Sequence, residues 1–259
     1  MIRFAEKESR QKISIDVLNI MMKQISLDCN VSEASEVVPG IYLAPLKVID
    51  GARIPENMDP FFRVVVFMGK AYVMADEKIM DRTRQILKDI KPEWFFTYKY
   101  LRRIDEMLKE YGRQIYDTHI YSLPADNCKY YEESGEEVWL GPAEIEGMRD
   151  GNICTSALAY SKTQPDVLAV MLKDGEKIMA MAGASQDGKY VQQIGINVLP
   201  GYEGRGLAVR LVSILKQRIL NSDSLPFYGT CESHAISRTV GINSGFMPAF
   251  AEMYSCKIK

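Results

Sequence analysis

The stretch VLPGYEGRGLAVRL, residues 198–211, sets Pro200 and the glycines Gly201, Gly204 and Gly206 between a β-like run and a helix-like run. Glycines let backbone N–H groups approach an anion closely because no side chain intervenes, and a helix starting just beyond them adds the positive end of its dipole. The ligand that suits such a loop is a phosphate. Two common phosphate motifs fit poorly. GASQDGKY, residues 183–190, has the G-x-x-x-x-G-K spacing, but Tyr190 stands where a Ser or Thr must ligate magnesium, and the match lies between two β-like runs, as a chance match in a hairpin would. Gly204-x-Gly206-x-x-Val209 lacks the last glycine of the dinucleotide fingerprint and follows an antiparallel pattern rather than an opening βαβ unit.

A longer stretch says more. INVLPGYEGRGLA, residues 196–208, resembles the acetyl-CoA-binding segment of the GNAT N-acetyltransferases, where a strand and a proline precede a glycine loop that opens a helix. HAISRTVGINSGF, residues 234–246, is similar to the second signature of that family, with His234 at the position of its usual Asn. The resemblance covers about 136–259. The wording MAGAS, QIGINVLP and PFYGT is similar to a bacterial subgroup that includes zwittermicin-resistance acetyltransferases, in which a non-catalytic N-terminal region precedes the acetyltransferase domain.

The resemblance implies acetyl-CoA as the acetyl donor, with no metal, and a small-molecule amine as acceptor. The pyrophosphate would rest on the amides of Gly204, Arg205, Gly206, Leu207 and Ala208. Pantetheine would pair with Ile196, Asn197 and Val198 on a strand that splays from the strand in FYGTCES, and it would meet His234 and Ser237. A backbone N–H near Val198 would face the developing oxyanion. Glu203 puts a carboxylate in the loop and is expected to point to solvent.

The proton-transfer groups do not carry over. Gly241 falls where many relatives have the Tyr that protonates the thiolate, and Gln192 where histone-modifying relatives have a Glu base. Glu232, at the end of the strand lining the cleft, is the candidate base and His234 the alternative, with Ser237, Tyr254 or water as the acid. The leading reading is therefore an N-acetyltransferase. The alternative is a catalytically degenerate acyl-CoA-binding sensor or partner-binding protein. Nucleic-acid modification comes third, since basic runs such as KYLRR usually mark a solvated helix face.

The elements that must hold these residues fall into two halves. The chain has 259 residues, 47% hydrophobic and 25% charged, with a formal net charge of −2, which argues against bulk electrostatic binding to nucleic acid. Cys29, Cys128, Cys154, Cys231 and Cys256 are scattered, and with only His119 and His234 beside them they read as reduced thiols rather than metal ligands. The charged start and the lack of a run of about 20 apolar residues give the expectation of a cytoplasmic protein without a membrane span. Oligomeric state stays open.

The fold class expected is α/β (α+β). Residues 126–259 would form a GNAT fold with a mixed, splayed central β-sheet flanked by helices, and residues 1–125 a mostly helical α/β accessory domain. In the first half, apolar spacing predicts a helix from Ile13 to Leu27, a hairpin in FFRVVVFMGKAYVMA turning at Gly69 and Lys70, a helix capped by Asp76, and another ending at Gly112. The polar stretch 122–137 is read as the boundary, with Glu132, Glu133, Glu136 and Glu137 as solvated linker charges. In the second half, Asp174-Gly175 and Asp187-Gly188 predict a three-stranded meander, followed by the glycine loop, a helix, a short strand, a second helix and a last strand.

Overall fold

The computed structural model describes residues 12–55, 60–126 and 131–258; Cys128 and the middle of the expected boundary lie outside them. The first half contains α1 (Ile15–Asp28), β1 (Ser35–Val38), β2 (Ile41–Pro45), β3 (Phe62–Phe67), β4 (Lys70–Ala75), α2 (Met80–Leu87), α3 (Tyr98–Lys109) and β5 (Arg113–Pro124). The second contains β6 (Val138–Leu140), α4 (Pro142–Gly147), β7 (Asp166–Asp174), β8 (Lys177–Gln186), β9 (Val191–Val198), α5 (Leu207–Leu220), β10 (Leu225–Thr230), α6 (Ala235–Asn243) and β11 (Phe246–Lys257). This is the mixed α+β class that the sequence predicts. The strands form one sheet, in the order β1-β2-β4-β3-β11-β5-β10-β9-β8-β7-β6.

Local chemistry accounts for the elements. Ser14 caps α1 by accepting from the Val17 N–H, and Asp76 accepts from the Lys78 N–H ahead of α2. The β3–β4 hairpin turns at Met68 and Gly69, both at positive φ, while Lys70 is already paired with Phe67; the turn therefore sits one residue earlier than the sequence predicts. The meander appears as β7–β8–β9, antiparallel throughout, so GASQDGKY is indeed strand and turn. The first half is less helical than expected. Among its described residues it holds five strands, and Ser122 to Pro124, read as the start of a polar boundary, are the end of β5.

β5 joins the halves. It lies antiparallel between β11 and β10, and β11 in turn fills the place between β5 and β3. The sheet thus runs unbroken across residue 125. Alternate residues of its strands feed different layers: Val65, Phe67, Tyr72 and Met74 pack on Met21 and Ile25 of α1, whereas Val64, Ala71 and Val73 pack with Leu87 of α2 and Met107 and Leu108 of α3. Leu211, Val212 and Leu215 of α5 pack on Ala180, Ala182 and Ile194.

A cluster of four charged side chains lies inside this assembly. Asp28 ends α1, Arg53 follows β2, Arg63 is on β3 and Glu252 on β11, and each side chain is at most 3% exposed. Arg53 meets Asp28 at 2.6 Å and Glu252 at 2.9 Å, and Arg63 meets Glu252 at 2.5 Å and Asp28 at 3.6 Å. The Arg53 guanidinium also lies 5.4–5.6 Å from the ring centres of Tyr121, Phe227 and Phe250.

Glu252→Gln would leave two buried guanidinium groups facing one carboxylate, a change that costs about 3–5 kcal/mol in such settings. Burial alone would raise the Glu252 carboxyl, but Arg53 and Arg63 outweigh it and hold it below the usual range. Its stabilisation is therefore present above the unfolded-state carboxyl value and lost as pH falls through the depressed one. Urea unfolding should show the stability gap between wild type and Glu252→Gln at neutral pH, and should show it closing below about pH 4.

Candidate active site

β9 and β10 are parallel neighbours only where they start. Leu225, Pro226 and Phe227 pair with Val191, Gln192 and Gln193, and the pairing then stops. Beyond it β9 follows β8 to Val198, while β10 follows β5 to Thr230, so the two strands part. The Leu199 N–H donates to Met179 O at 2.9 Å on the β8 side. By the two-residue alternation of a strand, the N–H and C=O groups of Ile194, Ile196 and Val198 then point the other way, into the opening. An edge of this kind can pair with an extended ligand.

The opening forms a cleft of about 610 Å³. Its walls include Ile196, Asn197, Val198, Glu203 and Ala208 on one side, Tyr228 and Thr230 on the other, and His234 and Ser237 at the start of α6. Gly204, Arg205, Gly206 and Leu207 continue the loop beyond that lining. Gly204 and Gly206 have φ of +73° and +77°, and no atom lies within 4 Å of where a Cβ would stand on either. Gly206 is also the N-cap of α5, with no side-chain cap and no acidic residue in the first turn. A helix N-terminus left open in this way favours an anion, and the residues present fit a pyrophosphate. The Glu203 carboxylate turns back to accept from the Gly201 N–H at 2.7 Å rather than simply facing solvent, and Arg205 donates to Gly201 O at 2.8 Å.

Other expected residues have definite tasks. The Asn197 side chain accepts from the N–H groups of Ser156 and Ala157, both at 2.8 Å, and so pins the 152–160 loop across β9. That loop crosses so closely that a Cβ on Gly195 would strike the Ser156 carbonyl. Ser237 shares a 2.9 Å hydrogen bond with the Tyr228 hydroxyl, and Gly241 lies under the Tyr228 ring. A buried phenol thus reaches the cleft from β10, at the place where Gly241 leaves room for it. Burial raises the Tyr228 hydroxyl above its ordinary value, and the bond to Ser237 opposes that rise.

Glu232 sits differently from its expected role. It is exposed on the turn after β10, it accepts from the Thr118 hydroxyl at 3.4 Å, and it is not part of the cleft wall. Tyr254 stacks on Tyr116 and is not part of the cleft wall, and Gln192 bonds Gln186 beside the paired part of the sheet. The acidic segment is not a free linker either. Glu137 pairs with Arg210, and Glu133 with Arg218 at 3.1 Å, so the segment is tied to α5.

The sequence reading assigned no role to several cleft residues, among them Tyr228 on β10 and Asp117 and His119 on β5 of the first half. Nearby, a polar chamber of about 100 Å³ adjoins the cleft at Ser156, Gln193 and Gly195. Asp187 lies in its wall, accepting from Ser185 at 2.6 Å and Gln164 at 2.8 Å, and burial pushes its carboxyl up to about 7. Among the described residues, no group of three or more His, Cys, Asp or Glu gathers as a metal site, and no helix is long and apolar enough to cross a membrane.

No protein-family model matches this chain, and no curated protein matches it significantly. Solved structures do. One is a GNAT-family protein from Novosphingobium aromaticivorans titled as an acetyltransferase, at 17% identity and a TM-score of 0.42, the match covering 57% of this chain and 69% of that one. A GCN5-related N-acetyltransferase from Kribbella flavida is 16% identical, with a TM-score of 0.41 and coverage of 60% and 63%. A GNAT-family acetyltransferase from Colwellia psychrerythraea is 9% identical, with a TM-score of 0.44 over 96% and 99%.

Gly206→Val tests the loop. A side chain there would stand over the amides of 204–208, at a backbone angle that costs a β-branched residue about 1–2 kcal/mol. Calorimetric affinity for CoA should fall by about tenfold or more while cooperative thermal unfolding persists. Unchanged affinity would detach the phosphate from this loop.

Proposed function

We propose that this chain transfers an acetyl group from acetyl-CoA to an amine of a small molecule. The observation that carries the reading is the opening between β9 and β10, whose unpaired backbone edge leads directly into the uncapped start of α5. A pantetheine arm has amides to pair with such an edge, and its pyrophosphate suits the loop beyond. The groups assigned to binding are the backbone of Ile196 and Val198, the amides of Gly204, Arg205, Gly206, Leu207 and Ala208, and the side chains of His234 and Ser237. Acetyl-CoA supplies an activated acyl carbon.

The chain's own residues would then act in order. The Val198 N–H donates to the acyl oxygen as negative charge builds there, a type of contribution worth about 3–4 kcal/mol in other enzymes. Tyr228, bonded to Ser237, supplies a proton to the departing sulfur and recovers one from solvent. The β5 side of the cleft receives the amine. Residues 1–125 serve in this reading as an accessory half that closes one wall for the transferase half, 126–259. A cytoplasmic setting, where thiols stay reduced, agrees with it.

The test is thiol release from acetyl-CoA across a panel of primary amines, with acetyl-CoA affinity measured alongside. Wild type should release thiol with some of them. Tyr228→Phe keeps the ring and its packing, so acetyl-CoA affinity should hold while turnover falls by about 10²-fold or more. Binding with no acetylation of any amine would favour the sensor.

A further inference from the structure

We propose that His119, oriented by Asp117, is the general base that takes the proton from the acceptor amine; the proposal rests on the acetyl-transfer reading. His119 lines the cleft, its side chain is 29% exposed, and its Nδ1 is buried without a hydrogen-bond partner. The exposure of the ring therefore belongs to its other edge, which carries Nε2. The Asp117 carboxylate lies 3.7 Å from Nδ1, just beyond hydrogen-bond range, so a small rotation would fix the tautomer with Nδ1 protonated and Nε2 free to accept. The imidazole is held from below by stacking on Tyr121 at 5.9 Å.

The sheet separates base from acid. On β5, Ser122 lies opposite Tyr228, whose ring packs with α5, while Tyr121 lies opposite Gly229 and packs with α1. His119 precedes Tyr121 by two residues and shares its face, so His119 and Tyr228 address the opening from opposite sides. An amine arriving on the His119 side meets a thioester whose pantetheine lies toward α5 and α6. The charged groups around His119 are Asp117 on its own strand, Glu252 directly across on β11 with Arg53 beyond it, and Glu232 on the turn after β10, bonded to Thr118. Asp187 is a rival base. Both of its oxygens already accept hydrogen bonds, and it lines the side chamber rather than the cleft.

The step balances simply. The nitrogen lone pair forms the N–C bond, the C–S bond breaks, and the amine proton passes to Nε2 and then to solvent. The sulfur takes its proton from Tyr228.

The experiment uses the full chain, acetyl-CoA, and whichever amine of the panel wild type acetylates. His119→Ala and the similarly sized His119→Gln should bind acetyl-CoA as wild type does, with kcat lower by about 10²–10⁴-fold. Added imidazole should restore part of the rate in His119→Ala, a rescue that a merely structural role would not give. Asp117→Asn should lose about tenfold in kcat with little change in KM, as expected of a positioning residue. Full activity in both His119 variants would overturn the assignment, as would a loss that imidazole fails to relieve while Glu232→Gln or Asp187→Asn abolishes turnover. If wild type binds acetyl-CoA and acetylates no amine, the transfer reading itself falls; if wild type is active and the His119 variants match it, only the base assignment does.

Discussion

Four buried charges that sum to zero hold this molecule together: Asp28, Arg53, Arg63 and Glu252. Each carboxylate meets both guanidinium groups, and the four residues come from α1, the segment after β2, β3 and β11. Desolvating such ions is unfavourable, and apolar replacements of the same shape can be as stable, so the cluster is better understood as fixing relative position than as adding net stability. What it positions is specific. Arg53 covers Tyr121, Phe227 and Phe250, one ring from each of the three strands β5, β10 and β11. Phe227 is also the last residue of β10 paired with β9. The charge cluster therefore clamps the sheet at the point from which it opens.

The opening lies where β9 and β10 each keep the outer neighbour and lose the pairing between them. β10 has two edges, and toward its C-terminal end β5 pairs with Tyr228, Gly229 and Thr230, while β9 stays with β8 through Val198. Unpaired backbone groups at the parted edges would be unfavourable in a core, but here they border a cleft where water or a ligand can reach them. Gly229 packs so close to the Tyr121 ring that a Cβ there would lie 2.6 Å from Cε1, so a glycine at this position leaves room for the ring. The first half thus shapes the cleft from within the sheet.

The legible and the illegible parts of the sequence differ in physical kind. The meander could be read because Asp-Gly turns and apolar alternation are local signals, and the glycine loop because positive φ at Gly204 and Gly206 requires that residue type. α5 could be read from Leu211, Ile214 and Leu215 recurring on one face. β5 was missed although Ile115, Tyr116, Thr118, Ile120 and Tyr121 are strand-forming types, because Arg113, Asp117 and His119 break the apolar alternation. Those polar residues have the neighbours that make sense of them only after β10 and β11, more than 100 positions later, are placed beside β5. The docking of Glu133 and Glu137 on α5 was hidden for the same reason, since a charge run looks solvated until its arginines are found.

That difference bears on whether the cleft serves binding alone. A binding module needs the open backbone edge and the amide loop, and both would function with an apolar residue at position 228 or 119. The chain instead keeps the Tyr228 hydroxyl buried against Ser237 and leaves Nδ1 of His119 buried without a hydrogen-bond partner, 3.7 Å from the Asp117 carboxylate. An unsatisfied buried polar atom costs about 1–3 kcal/mol. Neither group is recruited into the nearby charge cluster, although Glu252 lies directly across from His119. A phenol and an imidazole at opposite faces of the same opening are what the proposed proton transfer on two sides of a thioester would require.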